Sequence, residues 1–179
     1  MPATTQWVRV GKVRYGRAVF ARTDIPARTL VGSVIGRVID DAEYVSPYCI
    51  DLGGSLSLEP MAPFRFLNHS CEPNCQLFLV ERTYPDGTDA PADVQLESLR
   101  PIARGEELTI DYAWSADGAI PCLCGSRRCR GWVVAADELP KLLQRPKDRK
   151  SGPSGAVEAK LRRQADVSHN NPNFLRKSR

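Results

Sequence analysis

Apolar and polar residues alternate in short runs along the first part of the chain, a pattern typical of β-strands with one buried face. The first run is WVRVGKVRY at residues 7–15, and AVFA follows at residues 18–21. Residues 29–40, TLVGSVIGRVID, are apolar and contain two glycines. A glycine inside a strand predicts a bend or the close approach of another backbone. The first 40 residues are therefore predicted to form short strands.

The strand pattern continues to about residue 114. Residues 48–60, YCIDLGGSLSLEP, predict two short strands around Gly53 and Gly54. Two further strands are predicted on either side of the PDGTDAP loop at residues 85–91, and EELTIDYAW at residues 106–114 predicts another. Together these runs predict a mostly-β domain built from several small sheets.

Helical patterns are few. One short helix is predicted near residues 40–45. A second is predicted in ADELPKLLQ at residues 136–144, with Asp137 as its N-cap and leucines on its apolar face. From about residue 145 the sequence is rich in Lys, Arg, Gly, Pro and Ser, which predicts a disordered tail with a short helix over residues 156–164.

The net charge of +4 conceals an uneven distribution. Residues 141–179 hold eleven basic and three acidic residues, whereas residues 1–140 hold 14 basic and 18 acidic residues. A mildly acidic body would suit a basic protein or peptide partner. The basic tail could make weak contacts with nucleic acid or a membrane, although a solvated tail without a partner is the simpler interpretation.

The chain contains neither a signal-peptide-like apolar run nor an apolar stretch long enough to span a bilayer. This predicts an intracellular soluble protein without a membrane partner, cytoplasmic in a bacterium or nuclear in a eukaryote. The six cysteines are then expected to be thiols or metal ligands rather than disulfides. Cys49, alone in an apolar run, fits a packed thiol.

A dense cysteine array near the end of the strand-rich region predicts a zinc site. It has the spacing C-x-C-x4-C and consists of Cys122, Cys124 and Cys129. Three ligands leave a tetrahedral zinc one short, so the fourth is either a water or a thiolate from elsewhere. Cys71 and Cys75 are the natural donors of such a thiolate.

Three motifs together resemble the SET-domain protein-lysine methyltransferases that carry a post-SET zinc element. They are RFLNHSCEPNC (65–75), GEELTIDY (105–112) and CLCGSRRCRGW (122–132). Residues 15–36 resemble that family's opening cofactor loop and first strands, and the similarity extends over about residues 7–133. We expect a SET domain over residues 1–120, a post-SET element over 121–133, a short helix over 134–144 and the basic tail over 145–179.

The resemblance implies a β-clip fold in which the Asn-His and Asp-Tyr segments thread in a knot-like way. It also implies S-adenosylmethionine as cosubstrate and a structural zinc ion. The expected cofactor contacts are Gly16, Arg17, Ala18, Asn68, His69 and Trp132. The expected zinc ligands are Cys71, Cys122, Cys124 and Cys129, which leaves Cys75 outside the metal site. Tyr112 resembles the family's catalytic tyrosine, although from the residues alone it could be a buried strand tyrosine bonded to a carbonyl group.

Three positions depart from the family pattern. Ala18 replaces the second glycine of the cofactor loop, Val34 stands where the family usually has tyrosine, and Ile110 stands where it has Phe or Tyr. Val34 and Ile110 are expected to line the substrate channel. Because Ile110 has no hydroxyl group to hold a water in place of a methyl group, the channel is predicted to permit di- and trimethylation.

The function that the resemblance implies is methyl transfer to lysine in a histone or histone-like basic protein. Because Val34 and Ile110 replace aromatic residues of the family, an alternative is a catalytically silent SET-like module that binds peptides or scaffolds a complex. A third hypothesis is a zinc-stapled nucleic-acid binder that uses the basic tail and the arginines of the cysteine array, Arg127, Arg128 and Arg130.

Overall fold

Three small β-sheets make up most of the structure, a computed structural model that describes residues 6–14 and 16–144. The predictions for the tail, including the helix over 156–164, lie outside these residues. The strands are β1 (Val8–Val13), β2 (Gly16–Ala21), β3 (Leu30–Val34), β4 (Gly36–Asp40), β5 (Ile50–Gly53), β6 (Leu56–Pro60), β7 (Asn68–His69), β8 (Cys75–Thr83), β9 (Asp89–Ser98) and β10 (Glu107–Ile110). Two 3-10 turns, Phe64–Phe66 and Ala116–Gly118, and one helix, α1 (Leu139–Leu143), complete the described part.

The sheets are ordered β1-β2-β10-β7, β3-β9-β8 and β4-β6-β5. All neighbouring strands run antiparallel except β10 and β7, which are parallel. The mostly-β prediction with several small sheets and few helices is therefore confirmed. No helix in the described ranges is long and apolar enough to cross a membrane.

The run at residues 29–40 forms two strands in two different sheets, with the break at Ile35. Gly36 begins β4 and faces the backbone of β6, where a Cβ atom would lie 2.2 Å from the carbonyl oxygen of Glu59. The predicted close backbone approach at a glycine is thus present, and it packs β4 tightly against β6.

The parallel pairing of β7 with β10 joins two of the sequence motifs. Asn68 pairs with Thr109 and His69 pairs with Ile110. Asn74, buried just beyond β7, reinforces the junction because its Nδ2 donates to the carbonyl of Glu107 (2.8 Å) and its Oδ1 accepts from the amide of Thr109 (2.8 Å). The Asn-His and Asp-Tyr segments therefore lie side by side.

Two apolar clusters stabilise this arrangement. The larger one is built from the inward faces of the strands and includes Val19, Val31, Val94, Leu96 and Leu108. The smaller one contains Ala116, Ala119, Val134 and Leu142, and it anchors the C-terminal segment with α1. Because α1 is only five residues long, it depends on this packing rather than on its own helical propensity.

Two helix predictions need correction. The helix expected near residues 40–45 is absent, because the side chain of Asp41 accepts the amide of Glu43 (2.9 Å) and holds the segment in a turn. The predicted cap was also wrong. The N-cap of α1 is Glu138, not Asp137, and no side chain caps the helix. The carboxylate of Glu138 instead accepts the amide of Ala116 (3.1 Å).

Candidate active site and cysteine cluster

Four cysteine side chains converge at the C-terminal end of the β7 segment. The Sγ atoms of Cys71, Cys122, Cys124 and Cys129 all lie within 4.8 Å of one another, and those of Cys71 and Cys122 are 3.7 Å apart. A tetrahedral zinc with Zn–S bonds of about 2.3 Å places its sulfur ligands about 3.8 Å apart. The four thiols therefore have the chemistry and the spacing that a structural zinc requires.

Backbone amides point at these sulfur atoms. The amide of Arg130 donates to the Sγ atom of Cys71, and that of Gly131 donates to the Sγ atom of Cys129 (3.4 Å each). Although burial opposes ionisation, hydrogen bonds from the Cys71 amide and from Ser126 lower the pKa of Cys124 to about 6. Donors of this kind stabilise thiolates and fix the direction of metal ligands.

The two cysteines of the opening motif lie in different environments. Cys75 is fully buried at the start of β8, where burial raises the pKa of its thiol to about 12. It packs in the larger apolar cluster as a small hydrophobic residue. Cys71, four residues earlier, is the one that joins the C-x-C-x4-C array. Cys49 is half-buried and its Sγ donates to the carbonyl of Ser46 (3.2 Å).

A cavity of about 730 Å³ opens beside the Asp-Tyr segment. The two residues expected to line the substrate channel, Val34 and Ile110, both line it, and so does Tyr112. Its other lining residues include Leu67, Leu77 and four aromatic side chains, Tyr44, Tyr48, Phe64 and Trp114. Because its lining combines apolar and aromatic side chains with serines and charged residues, the cavity can accept a long side chain with a polar end.

The hydroxyl group of Tyr112 donates a hydrogen bond to the carbonyl of Leu67 (2.8 Å). Burial, with smaller contributions from Tyr48 and Glu107, raises the pKa of Tyr112 to about 12. The phenol is therefore neutral at physiological pH, and its oxygen retains lone pairs that can accept. The carbonyl contact expected of a structural tyrosine and the cavity position expected of a catalytic tyrosine occur in the same side chain.

The proposed cofactor contacts from the first hairpin lie beside β7. The side-chain Nδ2 of Asn68 donates to Glu107 Oε1 (2.8 Å) and to the carbonyl of Arg17 (3.3 Å), while its Oδ1 accepts no hydrogen bond from the described residues. Gly16 has a φ of +135° and no atom within 4 Å of a Cβ position, so the surface above it is open. Ala18, in contrast, is fully buried in β2.

His69 connects the cysteine cluster to Tyr112. Its Nδ1 accepts the backbone amide of Tyr112 (3.2 Å), which leaves the proton on Nε2, 3.4 Å from the Sγ of Cys71. Burial lowers the pKa of His69, while Asp111 opposes that shift and Arg130 adds to it. The imidazole is thus a neutral bridge, and any cofactor contact by His69 would use its backbone.

Arg130 makes a second connection from the cysteine array. Its guanidinium pairs with the carboxylate of Asp111 (2.8 Å), the residue before Tyr112. The side chain of Arg130 is 14% exposed, whereas that of Arg128 is 88% exposed. Among the three arginines of the array, burial singles out Arg130, a distinction that the sequence pattern does not make.

Trp132, another of the expected cofactor contacts, belongs to the C-terminal segment. Its side chain packs against the smaller apolar cluster, and its backbone pairs with Pro121. Sequence reasoning missed Trp114, whose ring is tilted against that of Tyr112 with the centroids 5.4 Å apart. Its position two residues after Tyr112 was the available signal. It also missed Asn74, whose role depends on contacts with β10.

Comparisons with known proteins agree with this geometry. The family model described as "SET domain" matches residues 16–113, more than half of the chain. A histone-lysine N-methyltransferase of Aspergillus fumigatus described as H3 lysine-4 specific is 42% identical over 73 residues, 38% of this chain and 5% of that protein. The histone-lysine N-methyltransferase trithorax of Drosophila melanogaster is 31% identical over 134 residues, 66% of this chain and 3% of that protein. The chain thus spans only a few per cent of the length of these curated relatives.

A solved structure shares the fold. The crystal structure of KRYPTONITE in complex with mCHH DNA, an H3(1–15) peptide and SAH is 28% identical, with a TM-score of 0.58. The match covers 70% of this chain and 29% of that one.

Proposed function

Because this chain belongs to the SET domain family, we propose that it transfers methyl groups from S-adenosylmethionine to the side-chain amine of lysine in a basic protein. The observation that carries the proposal is the β7–β10 pairing. It sets Asn68, a proposed cofactor contact, next to the strand that carries Ile110 and leads to Tyr112 at the cavity. The similarity to histone-lysine methyltransferases supports the same activity.

The cosubstrate would lie across Gly16, the backbone of Arg17 and Asn68. The open surface above Gly16 and the free Oδ1 of Asn68 suit a ligand with amine and hydroxyl donors. When bound, S-adenosylmethionine supplies an electrophilic methyl group. Ala18, buried in β2, acts here through its small size, and Trp132 would order the segment that follows the cysteine array.

The cavity would prepare the lysine amine. A free lysine has a pKa near 10.4, so on the order of 0.04% is neutral at pH 7. An apolar channel lined by Val34 and Ile110 would lower that pKa by desolvation. The oxygen of Tyr112, held by its hydrogen bond to Leu67, would orient the neutral amine.

Four cysteines would hold a structural zinc ion between the C-terminal segment and the proposed active site. Cys71 follows the proposed cofactor contacts directly, and the other three ligands, Cys122, Cys124 and Cys129, belong to the segment after the Asp-Tyr pair. A metal ion held by these cysteines would connect the ends of β7 and β10 through the contacts of His69 and Arg130.

A basic substrate fits the charge of the cavity. Its charged lining residues are Asp41, Asp51, Asp111 and Arg65, and Arg65 already pairs with Glu59. Asp111 likewise pairs with Arg130, so the carboxylates of Asp41 and Asp51 would be the ones to favour cationic residues flanking the target lysine. We propose a histone or histone-like protein as substrate, in keeping with the names of the relatives.

The product is proposed to include di- and trimethyl-lysine. Ile110 lines the cavity without a hydroxyl group, so no phenol at this position holds a water in place of an added methyl group. Mass spectrometry of peptide products tests this. We expect wild type to accumulate higher methylation states and Ile110→Tyr to stop at monomethyl-lysine. Monomethyl-lysine alone from wild type would contradict the proposal.

Labelled S-adenosylmethionine and a mixture of basic proteins test the activity itself. Tyr112→Phe should reduce labelling by about 10²-fold or more. Tyr84→Phe, which removes an exposed phenol from the β8–β9 loop, is the matched control and should label as wild type does. Equal labelling by Tyr112→Phe would remove the phenol from the mechanism.

The catalytically silent module remains the second candidate because both channel positions lack the family's aromatic residues. Isothermal titration with S-adenosylmethionine, together with the labelling assay, distinguishes the silent module from the enzyme. Cosubstrate binding without labelling of any basic protein would favour the silent module. Absence of cosubstrate binding by zinc-loaded protein would contradict the enzyme.

A further inference from the structure

The β1–β2 hairpin carries a charge opposite to that of the rest of the domain. Residues 1–23 contain five basic residues and no acidic one, whereas residues 24–140 contain nine basic and 18 acidic residues. The net charge therefore changes from +5 to −9 between adjacent parts of one domain. Segregated charge of this kind attracts a partner of the opposite sign to one face.

A hollow of about 320 Å³ lies where this basic segment meets the turn before β10. It is lined by Arg9 of β1, Ala21 and Arg22 at the end of β2, and Arg104 and Gly105 of the turn. Its charged lining residues are therefore three arginines and no carboxylate. We call this set Arg9, Arg22 and Arg104 the arginine hollow.

Two of the three guanidinium groups are already held in place. Arg22 Nε donates to the carbonyl of Val8 (2.6 Å), and among the described residues its terminal nitrogens have no hydrogen-bond partner. The guanidinium of Arg9 lies over the ring of Phe20, 5.0 Å from the centroid. A ligand would therefore lose little side-chain entropy from these residues on binding.

The arginine hollow lacks compensating negative charge. Within residues 6–14 and 16–144, no carboxylate oxygen lies within 4.0 Å of the side-chain nitrogens of its three arginines. The nearby Asp24 accepts the backbone amide of Arg104 (2.7 Å). Elsewhere, Arg65, Arg100 and Arg130 each pair with a carboxylate. Convergent like charges repel, and an anion in the hollow would relieve that repulsion.

The arginine hollow is separate from the proposed cofactor contacts. Arg22 lies six residues along the strand from Gly16, a distance of about 20 Å at roughly 3.3 Å per residue. The residues that line the hollow are also absent from the lining of the larger cavity. Occupation of the hollow would therefore leave both the cofactor surface and the channel free.

We propose that the arginine hollow binds phosphate groups of a nucleic-acid backbone. Guanidinium groups match phosphate oxygens with paired hydrogen bonds. A membrane surface offers phosphates too, but interfacial binding also requires apolar side chains that enter the bilayer. None of the exposed large hydrophobic residues of the described chain lies between residues 6 and 22. The site would hold a methyl-transferring domain on a polyanion that also binds basic proteins.

Fluorescence anisotropy of the full chain with a labelled duplex of about 20 base pairs, over a series of salt concentrations, tests the proposal. The triple variant Arg9→Gln, Arg22→Gln, Arg104→Gln should bind more weakly. Loss of three phosphate contacts should reduce the slope of log K against log salt by about 2.7. The control variant Arg28→Gln, Arg37→Gln, Arg82→Gln has the same net charge and should keep the wild-type slope. Because the basic tail is present in every protein, its contribution cancels.

Three outcomes would overturn the proposal: an unchanged slope in the triple variant, an equal loss in the control, or a loss of binding to phosphatidylserine vesicles without a loss of DNA binding. Thermal unfolding of each variant serves as the control that the fold is retained. The assay needs no methyl transfer, so a silent module could still bind DNA and an active enzyme could fail to.

Discussion

Arg130 and Asp111 form a partly buried ion pair that connects the cysteine array to the residue preceding Tyr112. The Asp111 carboxylate also accepts the amide of Ala113 (3.0 Å). The pair therefore fixes the backbone on both sides of Tyr112. The position of the phenol at the cavity depends on a side chain from another part of the sequence.

Replacement of Arg130 by alanine should destabilise the domain by about 2 kcal/mol, because it leaves the Asp111 carboxylate without its partner. Thermal unfolding measures the change. Arg82→Ala, which breaks the exposed pair with Asp93, should cost less than about 1 kcal/mol. Arg130→Lys should recover part of the stability. Equal effects of Arg130→Ala and Arg82→Ala would contradict the ion pair's role.

The two cysteines of the RFLNHSCEPNC motif give a direct test of the metal site. Cys71→Ser should reduce the zinc content measured by elemental analysis, because it removes one of the four converging thiols. Cys75→Ser, four residues away in the apolar cluster, should keep about one zinc per protein while it lowers the unfolding temperature. Full zinc occupancy in Cys71→Ser would transfer the fourth ligand to another residue.

Stability should fall at alkaline pH because of Cys75. Burial raises the pKa of its thiol from 9.0 to about 12, so above pH 9 the unfolded chain releases a proton that the folded state retains. The stabilisation is complete below pH 9 and is lost as the pH rises towards 12, at about 1.4 kcal/mol per pH unit. Tyr112, also raised to about 12, adds to the loss only above pH 10.

Chemical unfolding at pH 8 and pH 10 measures this loss in wild type and in Cys75→Ala. The variant should lose less stability between the two values. Val94→Ala, which truncates the same cluster without removing a titratable group, should parallel wild type. A Cys75→Ala curve that also parallels wild type would rule out the buried thiol as the cause.

The close approach at Gly36 predicts a costly substitution. An alanine there would bring Cβ to 2.2 Å from the Glu59 carbonyl oxygen, so β4 and β6 would have to separate. We expect Gly36→Ala to reduce the free energy of unfolding by about 2 to 3 kcal/mol. Gly118→Ala is the control, since no atom lies within 4 Å of its Cβ position. Comparable stability of the two variants would contradict the packing.

The alternating runs predicted the strands because a strand with one buried face places apolar and polar residues at alternate positions of the sequence. They could not assign strand partners, so the pattern predicted a bend or a close backbone approach within residues 29–40 but not that this run contributes to two sheets. The helix expected near residues 40–45 is absent for a local reason, because the hydrogen bond that the Asp41 side chain accepts from the amide of Glu43 competes with helix formation.

In the candidate site, too, local features could be predicted from the sequence and contacts between distant residues could not. The C-x-C-x4-C spacing is local and predicted a metal site, but the choice between Cys71 and Cys75 depended on the resemblance to a family. The Arg130–Asp111 pair joins residues 19 apart in the sequence, and the Asn74 contact to Thr109 joins residues 35 apart. No periodic pattern encodes contacts of this kind, since they exist only after the strands have assembled.

The two-residue pairing of β7 with β10 also sets an order of folding events. Hairpins such as β1–β2 and β8–β9 close short loops and can form early, whereas β7 must wait for residues about 40 positions away. A nascent chain that ends before Glu107 could hold most of its sheets, yet it would lack β10, the strand that pairs with β7. The junction of β7 with β10 would therefore form late during synthesis, and amide exchange at β7 should report its formation.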